Sequence, residues 1–290
     1  MASAVLDTPR RQRKRPKSSV GWGSPATYFV ALVVIALTIA PIVYIVLGGF
    51  RTNSQITVDP AGMPHPWVWS NYTGVLTSST FWTEFGNSTL VAGVTTIGVV
   101  VIGLMASYVL ARYQFRGRGF MFALFSAGLM FPITVAITPL FLLLKDLGLL
   151  NSPVGVILPQ VGFALPTTII ILVPFLRAIP REIEEAATVD GCGRIAFFFR
   201  MVVPLSLPGV LTVGILAFVA SWNSYLLPLF ILSDPHTFTL PLGVQVFSSQ
   251  YSTDTAKVLA FTSLSMLPAL LFFTAFERRI VGGLSGAVKG

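Results

Sequence analysis

The sequence predicts an all-α, polytopic membrane protein with six transmembrane helices, and three observations carry that prediction. Only 10% of the 290 residues are charged and 54% are hydrophobic, whereas a soluble domain carries about 25% charged residues. Six apolar runs are near or beyond the roughly 20 residues that a helix needs to cross a bilayer. The Lys and Arg residues fall almost wholly on one side of those runs. The runs are continuous rather than alternating, which argues against membrane strands.

The elements follow in order. Residues 1–25 form a basic tail with Arg10, Arg11, Arg13, Lys14, Arg15 and Lys17. Residues 26–87 hold the first span, Tyr28 to Phe50, and an external loop. Residues 88–276 form a core with five further spans: Ser88 to Ala111, Phe120 to Leu144, Pro153 to Leu176, Leu205 to Leu232, and Val258 to Phe276. Residues 277–290 are a C-terminal tail. Of 19 Lys and Arg residues, 16 lie in the two tails and in the loops after the second and fourth spans. Only Arg51, Lys145 and Lys257 lie opposite, so both termini are expected in the cytoplasm. A net charge of +8 then needs no nucleic-acid partner, because the basic run before the first span suits anionic lipid and orientation. The first span is too long for a cleaved signal peptide, and no small-residue cleavage site follows it. Prolines 41, 132, 139, 159, 166, 208, 228 and 268 lie within the spans and are expected to kink them. Gly93, Gly98 and Gly103 recur at five-residue intervals, which makes no small-xxx-small packing stripe.

Several functions are excluded. Cys192 has no cysteine partner, and His65 and His236 lie far apart in polar loops, so no metal site is expected. None of the six windows holds Asp, Glu, Lys, Arg or His. That argues against an ion-coupled secondary transporter, which commonly places an ionisable residue in the membrane. It also removes intramembrane proteolysis, with no H-E-x-x-H and no span histidine. No G-x-x-x-x-G-K-[ST] is present, so no P-loop for ATP is expected and no catalytic residue is assigned: the chain reads as a transport subunit rather than an enzyme. Uphill transport would take its energy from another subunit.

The segment 177–204, between the fourth and fifth spans, is the expected entry point. Pro180 suits a first helical position, and Glu182, Glu184 and Glu185 crowd the first turns, where the helix dipole favours anions. Gly191 fits a C-terminal stop. A second helix from Arg194 to about Val202 is expected to end before Pro204. Ala186 and Ala187 offer a low surface for close approach, and Phe197, Phe198 and Phe199 offer apolar anchors. A cytoplasmic linker without a partner fits the same pattern.

Glu185-Ala186-Ala187 is followed by three residues, Gly191, nine residues and Met201-x-Val203-Pro204. This resembles the cytoplasmic loop of permease subunits of binding-protein-dependent ABC importers, in the maltose-type carbohydrate branch. Asp190-Gly191 and Pro204-Leu205 with Pro208 also match, whereas Cys192, Met201 and Val203 depart mildly. Residues 111–118, 147–152, 221–228 and the tail 282–290 are similar in order to further segments of the family, so the resemblance covers nearly the whole chain. It implies the ABC importer type I permease fold in the cytoplasmic (inner) membrane. It implies a second homologous permease subunit, an ABC ATPase dimer and an extracellular or periplasmic sugar-binding protein as partners, besides membrane lipid. ATP and Mg would sit on the ATPase, with no cofactor on this chain. Glu184, Glu185, Ala186, Ala187, Asp190, Gly191 and Pro204 would form the ATPase-coupling site. The tail residues Gly286, Ala287, Val288 and Lys289 would contact the ATPase; an inert tail is the other reading.

By the resemblance, the solute is a sugar. A neutral sugar suits a path of amides, hydroxyls and aromatic faces, and Trp222, Asn223, Ser224 and Tyr225 are the candidates, with Ser126, Thr134 and Thr138 behind them. Helix packing explains any one of these equally well. Trp67, Trp69, Tyr72, Trp82, Phe247 and Tyr251 in the external segments suit either a binding protein or interfacial anchoring. The rival functions are a permease for another small solute such as glycerol phosphate or polyamine, an ion-coupled transporter, and a structural or signalling membrane protein.

Overall fold

A computed structural model describes residues 25–247 and 253–287, the stretch 277–287 by its backbone alone. The chain divides into two compact units, one running to Val43 and the other beginning at Tyr44. Helix α1 (Pro25–Gly48) supplies the first unit and enters the second with its last turn. It carries Pro41 internally, and Thr38 Oγ1 donates 2.8 Å to the Val34 carbonyl.

The second unit opens on the short helices α2 (Asn53–Val58) and α3 (Ser70–Leu76). Arg51 organises the loop that holds α2: its guanidinium donates to the carbonyls of Gln55 (2.6 Å), Pro60 (3.0 Å) and Asp59. Arg51 is therefore buried as a loop clamp rather than free in solvent.

The body is built on α4 (Ser79–Arg112), α7 (Pro153–Arg177), α11 (Leu207–Trp222) and α14 (Thr255–Ala287). Helix α4 packs along α7 and α11, and α11 also packs on α14. Two of the five-residue glycines let α4 and α7 close up. A Cβ on Gly98 would sit 3.0 Å from Val161, and one on Gly103 would run into Thr168, whereas Gly93 meets nothing within 4 Å. Prolines 159, 166 and 174 are carried inside α7, as membrane helices tolerate.

Among the described residues, four helices are long and apolar enough to span a bilayer: Pro25–Gly48, Ser79–Arg112, Pro153–Arg177 and Thr255–Phe276. The count reaches six if each of two bent pairs is one span. The expected third span is broken by 100° between α5 (Arg118–Gly128) and α6 (Ile133–Asp146). Pro132 stands at the break, donates no hydrogen bond and biases Phe131 away from helix. The expected fifth span ends early, at Trp222, where Asn223 Nδ2 donates 2.9 Å to the Val219 carbonyl. It resumes only as the six-residue α12 (Leu226–Ile231). The short helix α13 (Leu240–Gly243) follows.

A further correction concerns charge. Helix α4 starts at Ser79 rather than near Ser88, which brings Glu84 into its buried face. The apolar windows hold no ionisable residue, but the helix carrying the second of them does.

Candidate functional site

The segment after α7 folds as two helical pieces. Helix α8 (Arg181–Val189) starts one residue later than expected, with Pro180 as its N-cap. It stops in a Schellman turn: Cys192 N–H donates 2.8 Å to the Ala187 carbonyl, Gly191 N–H donates 3.0 Å to the Thr188 carbonyl, and Gly191 adopts φ +77°. The second piece begins with α9 (Arg194–Phe197), passes through a π-turn over Phe198–Val202, and ends in α10 (Val203–Leu205). It therefore runs through Pro204 instead of stopping before it, and bends by 74° into α11. Pro204 therefore lies inside a continuous helical run, to which it contributes no backbone N–H.

Helix α8 has two faces. Ile183 and Ala187, with Cys192, pack on a core cluster formed by the C-terminal halves of α4 and α7, with Leu104, Leu110, Ile169 and Leu176. Glu184 accepts from Arg112 Nη2 at 2.7 Å and Nε at 3.1 Å, so it is engaged within the chain. Glu185, Ala186, Thr188, Val189 and Asp190 face outward, and Val189 is 87% exposed. The expected apolar anchors split: Phe197 is buried and Phe198 half-buried in the same cluster, and only Phe199 stays exposed. Spacing explains this, since three consecutive helical residues cannot share one face. Ile195, 77% exposed and unremarked in the sequence, joins Phe199 and Val189 as an outward apolar group.

The candidates near the end of α11 also separate. Trp222 is buried, its ring 5.6 Å from that of Phe218 and its Nε1 donating 3.1 Å to the Ser265 carbonyl of α14. It holds α11 to α14, which removes it from the solute candidates. Asn223 is exposed at the helix break, and exposed Tyr225 accepts at its hydroxyl from Gln245 Nε2 at 3.1 Å. Of the four, Ser224 lines a cavity between the long helices, to which the other three do not contribute. Ser126, Thr134 and Thr138 do not line it.

That cavity has a volume of about 400 Å³ and lies between α4, α6, α7 and α11. Its polar groups include Thr95, Gln160, Thr167 and Ser221 beside Ser224. Gln160 Oε1 accepts from Ser221 Oγ at 2.5 Å and from Thr95 Oγ1 at 3.2 Å. Sequence reading missed this residue; the available signal was an amide within the otherwise apolar fourth run, next to Pro159. Of the tail candidates, Gly286 and Ala287 end the backbone of α14, while Val288 and Lys289 lie outside the described residues.

Comparison with known proteins fits this geometry. The model of the family "Binding-protein-dependent transport system inner membrane component" matches residues 98–282. The diacetylchitobiose uptake system permease protein NgcG of Streptomyces coelicolor is 35% identical over 88% of this chain and 86% of its own length. The trehalose transport system permease protein SugB of Mycobacterium tuberculosis is 35% identical over 91% of this chain and 98% of its own. The sulfoquinovosyl glycerol transport system permease protein SmoH of Agrobacterium fabrum is 34% identical over 94% and 96%. A chain from the crystal structure of a bacterial ABC transporter that imports the acidic polysaccharide alginate superposes with a TM-score of 0.75, at 20% identity, over 87% of this chain and 94% of its own, and so shares the fold. With the family match spanning well over half its length and several relatives above 30% identity, the chain belongs to the binding-protein-dependent transport system inner membrane components, the permease subunits of ABC transporters.

Proposed function

We propose that this chain is one of two membrane subunits of an importer that carries a sugar or oligosaccharide inward, driven by a separate pair of ATPase subunits. The observation that carries the reading is helix α8. It offers an outward face of Glu185, Ala186 and Val189, while its inner face is fastened to the ends of α4 and α7. Such a helix suits a cleft in a motor subunit, since movement imposed on it passes to two spans at once. Phe199 and Ile195 widen the apolar contact. The relatives named as permeases for diacetylchitobiose and trehalose support a carbohydrate solute.

The rest of the assembly follows. ATP and Mg sit on the ATPase, and this chain binds neither. Both termini are cytoplasmic by the distribution of Lys and Arg, which places α8 and the end of α14 on the ATPase side. The tail from Gly286 to Lys289 reaches the ATPase interface. A binding protein delivers the solute to the opposite face, where Trp67, Trp69 and Trp82 are each about half exposed or more. ATP binding must favour one pore state through contacts that differ between states.

The test is a cysteine placed at Ala186 in a Cys192→Ser background, with the partner subunits present. Cross-linking to the ATPase that changes with ATP is expected, and Glu185→Lys is expected to abolish ATP-coupled uptake while the chain still reaches the membrane. A cysteine at Ala186 that never cross-links to an ATPase, with normal uptake by Glu185→Lys, overturns the reading.

A further inference from the structure

Helices α4 and α7 end, and α5 begins, around a patch of positive charge that the chain leaves unpaired. Arg118 opens α5, and its Nε donates 2.8 Å to the carbonyl of Leu110 in the last turn of α4. Arg177 closes α7, and its guanidinium carbon stands 6.0 Å from the centre of the Phe122 ring. Phe122 lies one turn along α5 from Arg118, so one ring neighbours both arginines on the seam where α5 packs against α7. Arg116 is exposed in the loop just before α5. Among the described residues none of these three arginines pairs with a carboxylate; Glu184, the acid that meets an arginine at the end of α4, is taken by Arg112. Arg118 is half-buried and fixed by its carbonyl bond, yet both its Nη groups and all the N–H groups of Arg177 have no acceptor among the described residues.

The chemistry that completes such a patch is a phosphate. A guanidinium is a planar fork of N–H donors that takes two phosphate oxygens at once, and an anion between two arginines removes their mutual repulsion. The surface beside the patch is apolar. Phe122 and Phe125 turn to the core, while Phe120, Met121 and Leu124 are exposed along α5. Leu124 lies about 9 Å along the helix axis from Arg118, at about 1.5 Å per residue. With α6, α5 makes one of the bent pairs that qualify as a membrane span. A ligand that covers the whole surface therefore carries phosphate at one end and hydrocarbon at the other. Free phosphate leaves the apolar side bare. A zwitterionic lipid brings its own cation to the arginines, whereas an anionic phospholipid brings none.

We propose that Arg118 and Arg177, with Arg116 at the rim, form a binding site for the headgroup of an anionic phospholipid whose acyl chain lies along α5 over Phe120, Met121 and Leu124. The site is separate from the solute path and does not depend on which solute is carried.

The test strips the assembled transporter of lipid in a neutral detergent, titrates it with phosphatidylglycerol or phosphatidylcholine, and counts bound lipid by native mass spectrometry. Arg118→Gln combined with Arg177→Gln is expected to weaken phosphatidylglycerol retention by about tenfold or more, and Arg116→Gln by a smaller factor, with phosphatidylcholine unaffected. Phe120→Ser combined with Leu124→Ser is expected to weaken phosphatidylglycerol too, through loss of the acyl contact. Equal phosphatidylglycerol retention by wild type and the double arginine variant overturns the proposal, and so does an equal loss of both lipids. Inorganic phosphate that displaces phosphatidylglycerol beyond the effect of chloride at the same ionic strength overturns the lipid assignment in favour of a free anion. A partner subunit released as phosphatidylglycerol binds overturns it in favour of a protein interface. Should the double arginine variant fail to assemble, Arg116→Gln decides, because that side chain pairs with nothing among the described residues: phosphatidylglycerol retention unchanged by it overturns the site.

Discussion

Arg112, the last residue of α4, forks onto Glu184 in α8: its Nη2 and Nε donate to one carboxylate oxygen at 2.7 and 3.1 Å, while Nη1 donates 2.7 Å to the Ile179 carbonyl. The arginine is nearly buried and the glutamate partly exposed. One guanidinium thus ties the C-terminal end of α4 to both the entry and the first turn of α8. Loss of hydrogen bonds to a charged group of this kind costs about 2 kcal/mol. Arg112→Ala is expected to loosen the lever more than the fold, lowering solute transported per ATP hydrolysed by about tenfold. Lysine cannot reproduce the fork, so Arg112→Lys should recover only part of the loss. Transport-to-hydrolysis ratios in proteoliposomes decide it, and a normal ratio in Arg112→Ala removes the lever from the account.

Gly191 tests the shape of the same helix. Its φ of +77° is left-handed, and an added Cβ would meet nothing within 4 Å, so any penalty comes from backbone conformation rather than crowding. For an ordinary L-residue that conformation costs about 1–2 kcal/mol. Gly191→Asn is expected to retain most uptake, because asparagine tolerates this region, whereas Gly191→Val should lose most of it. Equal uptake by the two variants would count against the turn geometry as the reason for glycine there.

The spans and the E-A-A segment are legible in the sequence because both are local. An apolar run near 20 residues reports burial in lipid whatever surrounds it, and the left-handed stop at Gly191 follows from a glycine at a helix end. What was hidden depends on neighbours. The sharp bend before Pro132 is set by how α5 and α6 pack, and a proline marks only where a bend can occur. The face of α11 that meets the cavity is fixed by α14, which claims Trp222 and leaves Ser224 to the opening. Glu184 looks identical to Glu185 in sequence until Arg112, 72 residues away, selects one of them. Gln160 is hidden because a single uncharged amide in an apolar run gives no charge signal, and its partners Thr95 and Ser221 lie on other helices.

Glu84 and Gly243 pose a stability question on the opposite side. Glu84 is fully buried in α4, and neither carboxylate oxygen has a hydrogen-bond partner among the described residues. The end of α13 approaches so closely that a Cβ on Gly243 would run into that carboxylate. Gly243→Ala should therefore lower the melting temperature of the solubilised assembly. Glu84→Ala clears the obstruction, so adding Gly243→Ala in that background should cost far less than in the wild type, a non-additivity expected of residues in contact. Glu84→Leu, which replaces buried polar atoms that have no partner with an apolar side chain, should stabilise by about 1–3 kcal/mol. Simple additivity in the double variant would refute the clash.

Asp254 offers a pH test outside the membrane. It precedes α14, accepts from Asn53 Nδ2 at 3.1 Å and from Lys257 N–H at 3.2 Å, and pairs with Lys257 Nζ at 3.0 Å. Asn53 Oδ1 in turn accepts 2.8 Å from the Ala256 N–H, so α2 is pinned to the start of α14. Burial pushes the Asp254 carboxyl up, but hydrogen bonds from Lys257 and Asn53, with the lysine's charge, outweigh it and hold the group below its ordinary value of 3.8. A depressed carboxyl binds fewer protons folded than unfolded, so its contribution is complete above about pH 4 and drains away as pH falls through the lowered value. Asp254→Asn loses that contribution at neutral pH and has nothing further to lose in acid. The melting temperatures of wild type and variant should therefore differ at about pH 6 and converge toward about pH 3. Parallel curves across that range would show that Asp254 does not hold this junction through its charge.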